Sequence, residues 1–121
     1  MAKEITASVA LSVVSALGIK ANRSDSASID MSGDSIHHGV TSVDNNGEAL
    51  EHSELLAEGT VGWVFLKNLS TTTTATIGTH ATDNHVIKLK PGEFALFRSA
   101  GDLYGDTVSG TALIEWLTIE D

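Results

Sequence analysis

The run Val61-Gly62-Trp63-Val64-Phe65-Leu66-Lys67-Asn68-Leu69 carries large apolar residues on both alternating faces until Lys67 and Asn68 end it. A strand apolar on one face lies on a core, whereas one apolar on both must be covered on both sides. The run is short for a helix, rich in aromatic and β-branched residues, and comes after Glu58-Gly59. It therefore reads as a central strand of a sheet.

The next thirty residues have the same character. Ser70 to Thr74 reads as a turn entering a threonine-rich strand that ends at Gly78, and threonine suits a pleated surface because it is β-branched and its hydroxyl can meet water. Val86-Ile87-Lys88-Leu89-Lys90 then runs into Pro91-Gly92-Glu93, and Phe94-Ala95-Leu96-Phe97 leaves it. Pro91 and Gly92 fit the two central positions of a type II turn, since proline presets the first and glycine reaches positive φ at the second. Thr111 to Glu120 is again apolar on both faces and reads as a second buried strand. The expected core residues are Trp63, Phe65, Leu89, Phe94, Leu96, Leu113 and Trp116.

The first half is less regular. Ile5, Ala7, Val9, Leu11 and Val13 alternate with polar or small residues, which predicts a long strand or extended arm over residues 1–20. Glu4 beside Lys3, with Thr6, Ser8 and Ser12 interrupting the apolar run, argues against a secretory leader, and the run is too polar and short to span a membrane. Ala21 to Ser26 reads as a turn, Ala27 to Met31 as a short strand, and Ser35 to Val43 as a strand bulged at Gly39. Asp44-Asn45-Asn46-Gly47 is a strong turn signal. Glu48 to Ala57 could form one helical turn or an irregular strand. Residues 21–121 are then one antiparallel β-sandwich or jelly-roll domain, with a shallow barrel as the alternative.

With 121 residues the chain is long enough for one core. It has no cysteine, so disulfides and thiolate metal sites are excluded. A formal charge of −9 at pH 7 disfavours nucleic acid and anionic membranes as partners.

No catalytic, metal-binding or cofactor-binding set stands out. His80, Asp83 and His85 are close in sequence, but they read as a polar loop tip between strands, and joining them to His37, His38 or His52 needs a convergence that sequence cannot supply. Leu89 to Phe94 resembles the strand-turn-strand of many jelly rolls, cupins included. A cupin metal motif needs a His-x-His pair with a spaced Glu, and His80 and His85 lack that spacing. Asp102 and Asp106 flank Leu103-Tyr104-Gly105 in what reads as an exposed hairpin, and Ser109-Gly110 reads as a turn; there is no Gly-x-Ser-x-Gly elbow and no phosphate loop. Trp63 and Trp116, with Tyr104, could form a sugar-stacking platform, as in carbohydrate-binding modules, although their strands place both tryptophans in a core.

The second half resembles a class of small virion proteins of tailed bacteriophages. The resemblance lies in the order of an aromatic strand ending in Lys67-Asn68-Leu69, the Pro91-Gly92-Glu93 turn, Leu103-Tyr104, and a closing Leu113-Ile114-Glu115-Trp116 strand. It covers roughly residues 60 to 120 and implies a non-enzymatic capsid or tail component, such as a decoration (cement) protein. It further implies a virion location after assembly in the host cytoplasm, a major capsid protein or other virion protein as partner, and a homo-oligomer, trimers being common in that class. The arm at Ile5 to Val13 would then either pair within its own domain or add as a strand to a neighbouring subunit.

Overall fold

The computed structural model describes residues 5–30, 36–45, 48–49, 61–79, 85–99 and 101–120. Every regular element among them is a β-strand, and all pairings are antiparallel. The chain divides into two units, Met1–Ser32 and Gly33–Asp121.

The first unit is a two-stranded ribbon. Strand β1 (Ile5–Val14) pairs with β2 (Lys20–Ile29) through ten rungs, from Ile5 opposite Ile29 to Val14 opposite Lys20. Its turn is closed by the Gly18 N–H donating to the Ser15 carbonyl at 2.9 Å, with Gly18 at φ +81°, where a residue bearing Cβ is strained. The Ile19 N–H donates to the Ser15 hydroxyl at 3.1 Å, and the Ser15 N–H donates back to the Ile19 carbonyl at 2.7 Å. Ala21 to Ser26, expected as a turn, and Ala27 to Ile29, expected to begin a short strand, all belong to β2, which pairs with β1.

Among its described residues the second unit holds two four-stranded sheets. One has the order β3 (Ile36–Val43), β10 (Ala112–Glu120), β5 (Val61–Asn68), β8 (Phe94–Arg98). The other runs β4 (Glu48–Ala49), β9 (Tyr104–Thr107), β6 (Ala75–Gly78), β7 (His85–Leu89). The paired strands β3·β10, β4·β9, β5·β8 and β6·β7 fall alternately in the first sheet and the second. The Pro91-Gly92 turn therefore joins two sheets rather than two neighbours: Glu93 N–H donates to the Lys90 carbonyl at 3.0 Å, and Gly92 has φ +83°. Glu48–Ala49 is a short strand and not the start of a helix, while the rest of the stretch to Ala57 lies outside the described residues.

A single core spans both sheets. Val43, Val64, Leu66, Ile114 and Trp116 from one meet Ala75, Ile77 and Leu89 from the other, joined by Leu103 and Ala112. Of the seven expected core residues, only Leu89 and Trp116 are in it. The others are displaced by the pleat: with Val64 and Leu66 inward, Trp63 and Phe65 must face outward, and Ile114 inward puts Leu113 outward. Phe94 and Leu96 do likewise, since they pair with the outward-facing Lys67 and Phe65. Gly39 is no bulge either, for the β3·β10 register is regular through it. Leu103-Tyr104 is no exposed hairpin, because Leu103 is buried and Tyr104 begins an internal strand.

Thr118 faces this core, with its Oγ1 buried and without a hydrogen-bond partner. An unsatisfied buried hydroxyl costs about 1–3 kcal/mol. Thr118→Val keeps the shape and removes the hydroxyl, so it is expected to stabilise the fold by about 1 kcal/mol, read as a rise in urea midpoint at unchanged m. A lower midpoint would show that the hydroxyl is satisfied in solution.

Candidate interaction surfaces

The outward face of the β3-β10-β5-β8 sheet is a broad apolar surface of the second unit. Alternation points Trp63, Phe65 and Lys67 outward on β5, with Leu113, Glu115 and Leu117 beside them on β10. The edge strands add Ile36, His38 and Val40 on one side and Phe94, Leu96 and Arg98 on the other. Phe94 is 66% exposed, Ile36 59%, Val40 55% and Leu113 47%, while Trp63, Phe65, Leu96 and Leu117 are half-buried. The rings of Phe65 and Phe94 stack with centroids 6.2 Å apart, and the Arg98 guanidinium lies 5.9 Å from the Trp63 ring centroid. Lys67 and Glu115 sit opposite one another near the middle. A large exposed face that is mostly apolar, here crossed by one opposed charged pair, marks a candidate surface for meeting another macromolecule. It also accounts for the two-faced apolar pattern of β5 and β10, whose second face lies on this surface and not in the core.

The ribbon carries a second such surface. Opposed residues of an antiparallel pair share a face, so Ala7, Val9, Leu11 and Val13 stand with Ala27, Asp25, Arg23 and Ala21. Thr6, Ser8 and Ser12 share the reverse face with Ser28, Ser26 and Asn22, and there Ser12 Oγ donates to Asn22 Oδ1 at 2.7 Å. Leu11 is 69% exposed and Val9 52%. Four of the five expected arm residues are thus on one exposed or half-buried face; Ile5, opposite Ile29 at the base, is buried. Nothing in the pattern of Lys20 to Ile29, which is mostly polar, signals that β2 completes this face.

Between the sheets sits the corner at the end of β5. Asn68 is fully buried, and its Nδ2 donates to the Thr73 carbonyl at 2.8 Å and to the Leu89 carbonyl at 2.9 Å, while its Oδ1 accepts from the Ser70 N–H at 2.9 Å. Its backbone N–H donates to the Glu93 carbonyl and its carbonyl accepts from Gly92, each at 2.9 Å. Lys67-Asn68-Leu69 is therefore a structural joint between the first sheet, the threonine turn and the proline-glycine turn.

The remaining candidates separate. The Trp116 indole is in the core, donating to Thr41 Oγ1 at 2.9 Å, so it cannot serve as a stacking platform. Among the described residues no three His, Asp or Glu side chains are grouped to hold a metal ion. His85 is on β7 with Nδ1 3.0 Å from Thr76 Oγ1, and His37 and His38 are on β3; His52, His80 and Asp83 lie outside the described residues. Asp102 and Asp106 are half-buried, and the Asp106 carboxylate accepts from the Thr107 N–H at 2.9 Å. An open groove of about 680 Å³ runs along Thr72, Thr74, Thr76, Lys88 and Lys90 on the second sheet. No helix among the described residues is long and apolar enough to cross a membrane. No known protein family, curated protein or solved structure matches the chain.

Proposed function

We propose that this is a non-enzymatic structural protein of a tailed-phage virion that decorates the capsid and stabilises it by binding its outer lattice. The observation that carries the reading is the apolar outer face of the β3-β10-β5-β8 sheet, backed by a core that spans both sheets and is tied by the Asn68 corner. A lattice-binding protein needs a stiff body that offers a broad surface, and about 800 Å² per partner suffices for a specific contact. The eight described strands of the second unit are read as a jelly roll, a two-sheet sandwich made from one folded double ribbon, and that reading goes with the proposal. So does the order of motifs from Trp63 to Trp116. The partner is then the major capsid protein or another virion protein, with repeated copies multiplying weak contacts. A tail or fibre component would use the same surfaces.

Co-sedimentation with undecorated heads tests the proposal. The parent protein should pellet with heads, and a Val40→Lys/Leu113→Lys variant should bind at least about tenfold more weakly, since two exposed apolar contacts become charged. Circular dichroism should be unchanged, because both side chains point away from the core. Parent protein that binds neither heads nor tails would overturn the reading, whereas a variant that binds as well as the parent would move the contact elsewhere on the molecule.

A further inference from the structure

The apolar face of the ribbon carries two charges, Asp25 on the rung of Val9 and Arg23 on the rung of Leu11. Both are exposed. From this placement we infer that the face binds a second copy of the chain, ribbon against ribbon, about a two-fold axis running along the Ala10/Ser24 rung. The inference does not rest on the virion reading.

Such an axis exchanges the rungs on either side of it, so the partner ribbon lies antiparallel with β1 over β1 and β2 over β2. Arg23 of each copy then faces Asp25 of the other, and Leu11 faces Val9. One step further out, Val13 lies over Ala7 and Ala21 over Ala27, so no two large side chains oppose one another there. The charges select this occupant. A partner surface of one sign would meet one like charge, and an uncharged apolar surface would bury both charges with no ionic partner opposite, Asp25 keeping only the Ser26 N–H at 2.8 Å, which is costly. Only a surface with a cation and an anion two residues apart, in reversed order, satisfies both, and a second copy presents that arrangement.

The contact is modest. Ten residues of strand span about 33 Å, and a two-stranded face is roughly 10 Å wide. That gives roughly 330 Å² per partner, about two-fifths of a standard interface. Association is therefore expected at tens to hundreds of micromolar rather than nanomolar.

Sedimentation equilibrium of the full chain should be run to millimolar concentration at 0.15 M salt, where the Debye length is about 8 Å and long-range repulsion between acidic copies is screened. A monomer–dimer equilibrium is expected. Arg23→Asp and Asp25→Arg should each weaken it about tenfold or more, because each sets like charges in contact twice. Their equimolar mixture should form a heterodimer at least as readily as the parent forms its dimer, since every cross-copy pair is then opposite in sign. Loss of secondary structure in a single variant would appear in its own circular dichroism, and the double variant Arg23→Asp/Asp25→Arg, which should recover the parent's dimerisation, covers that case. A parent that stays monomeric at millimolar concentration overturns the inference. So does a trimer, a dimer unaffected by either single change, or a mixture of the two single variants that stays monomeric.

Discussion

Asn68→Leu should destabilise the fold by about 3 kcal/mol or more, although it replaces one side chain by another of similar volume. The amide makes three hydrogen bonds, two donated to carbonyls at Thr73 and Leu89 and one accepted from the Ser70 N–H. With two carbonyls on one side and an N–H on the other, only one orientation of the amide satisfies all three. Leucine removes all three bonds at a residue that is fully buried, and each backbone group left unpaired costs about 1–3 kcal/mol when water cannot reach it. Asn68→Asp should be no better, because a carboxylate keeps the acceptor for Ser70 but faces two carbonyl oxygens with no proton to donate. Urea unfolding read by circular dichroism decides it. A loss below about 1 kcal/mol for leucine would mean that water reaches the corner, and the joint would then not tie the sheets.

This joint is only half visible in the sequence. Lys67-Asn68 is legible as the end of an apolar run, and an amide with Ser70 and four threonines after it signals a turn. The partner that makes Asn68 a joint, the Leu89 carbonyl, is 21 residues further on, and nothing local announces it. Hydrophobic alternation has a similar limit. It identifies β5, β7, β8 and β10 as strands, but period two marks two faces without saying which is inside. For β5 and β10, where both faces are apolar, the bulkier set of Trp63 and Phe65 is the natural choice for the core, yet Val64 and Leu66 occupy it. The aromatic set is on the surface proposed to bind the lattice, so the error and the candidate site have the same origin. β2 escapes a reading of the pattern for the opposite reason. Lys20 to Ser26 is polar and has no apolar rhythm, so only the alternating end from Ala27 to Ile29 is legible and the ladder with β1 defines the rest. The type II turn at Pro91-Gly92 is readable in full because its cause is confined to the residues that form it.

Gly39→Val is the second large effect expected, about 3 kcal/mol of destabilisation. Gly39 lies opposite Trp116 in the β3·β10 ladder, and the indole covers it. A Cβ added to Gly39 would stand 3.0 Å from Trp116 Cζ2, with Cε2 at 3.4 Å and Cη2 at 3.5 Å. An aromatic ring lying over a strand glycine restores the packing that the missing side chain would have provided, and here it leaves no room to restore the side chain itself. The ring has little freedom to move aside, because Nε1 donates to Thr41 Oγ1 at 2.9 Å and Trp116 belongs to the core. Overpacking costs about 1–3 kcal/mol and a lost hydrogen bond about 1 more. Alanine, with only the Cβ, should cost about 1 kcal/mol. The cause can be isolated by a double-mutant cycle. Trp116→Phe removes the outer ring that meets the new Cβ, so Gly39→Val should cost at least about 1 kcal/mol less in that background than in the parent. Equal costs in the two backgrounds would place the clash elsewhere. Because Trp63 is then the only remaining tryptophan, its fluorescence in the double variant reports the outward face of the sheet alone. An unchanged signal at native conditions would show that the core can be repacked at Trp116 without disturbing the surface on which the proposed contacts depend.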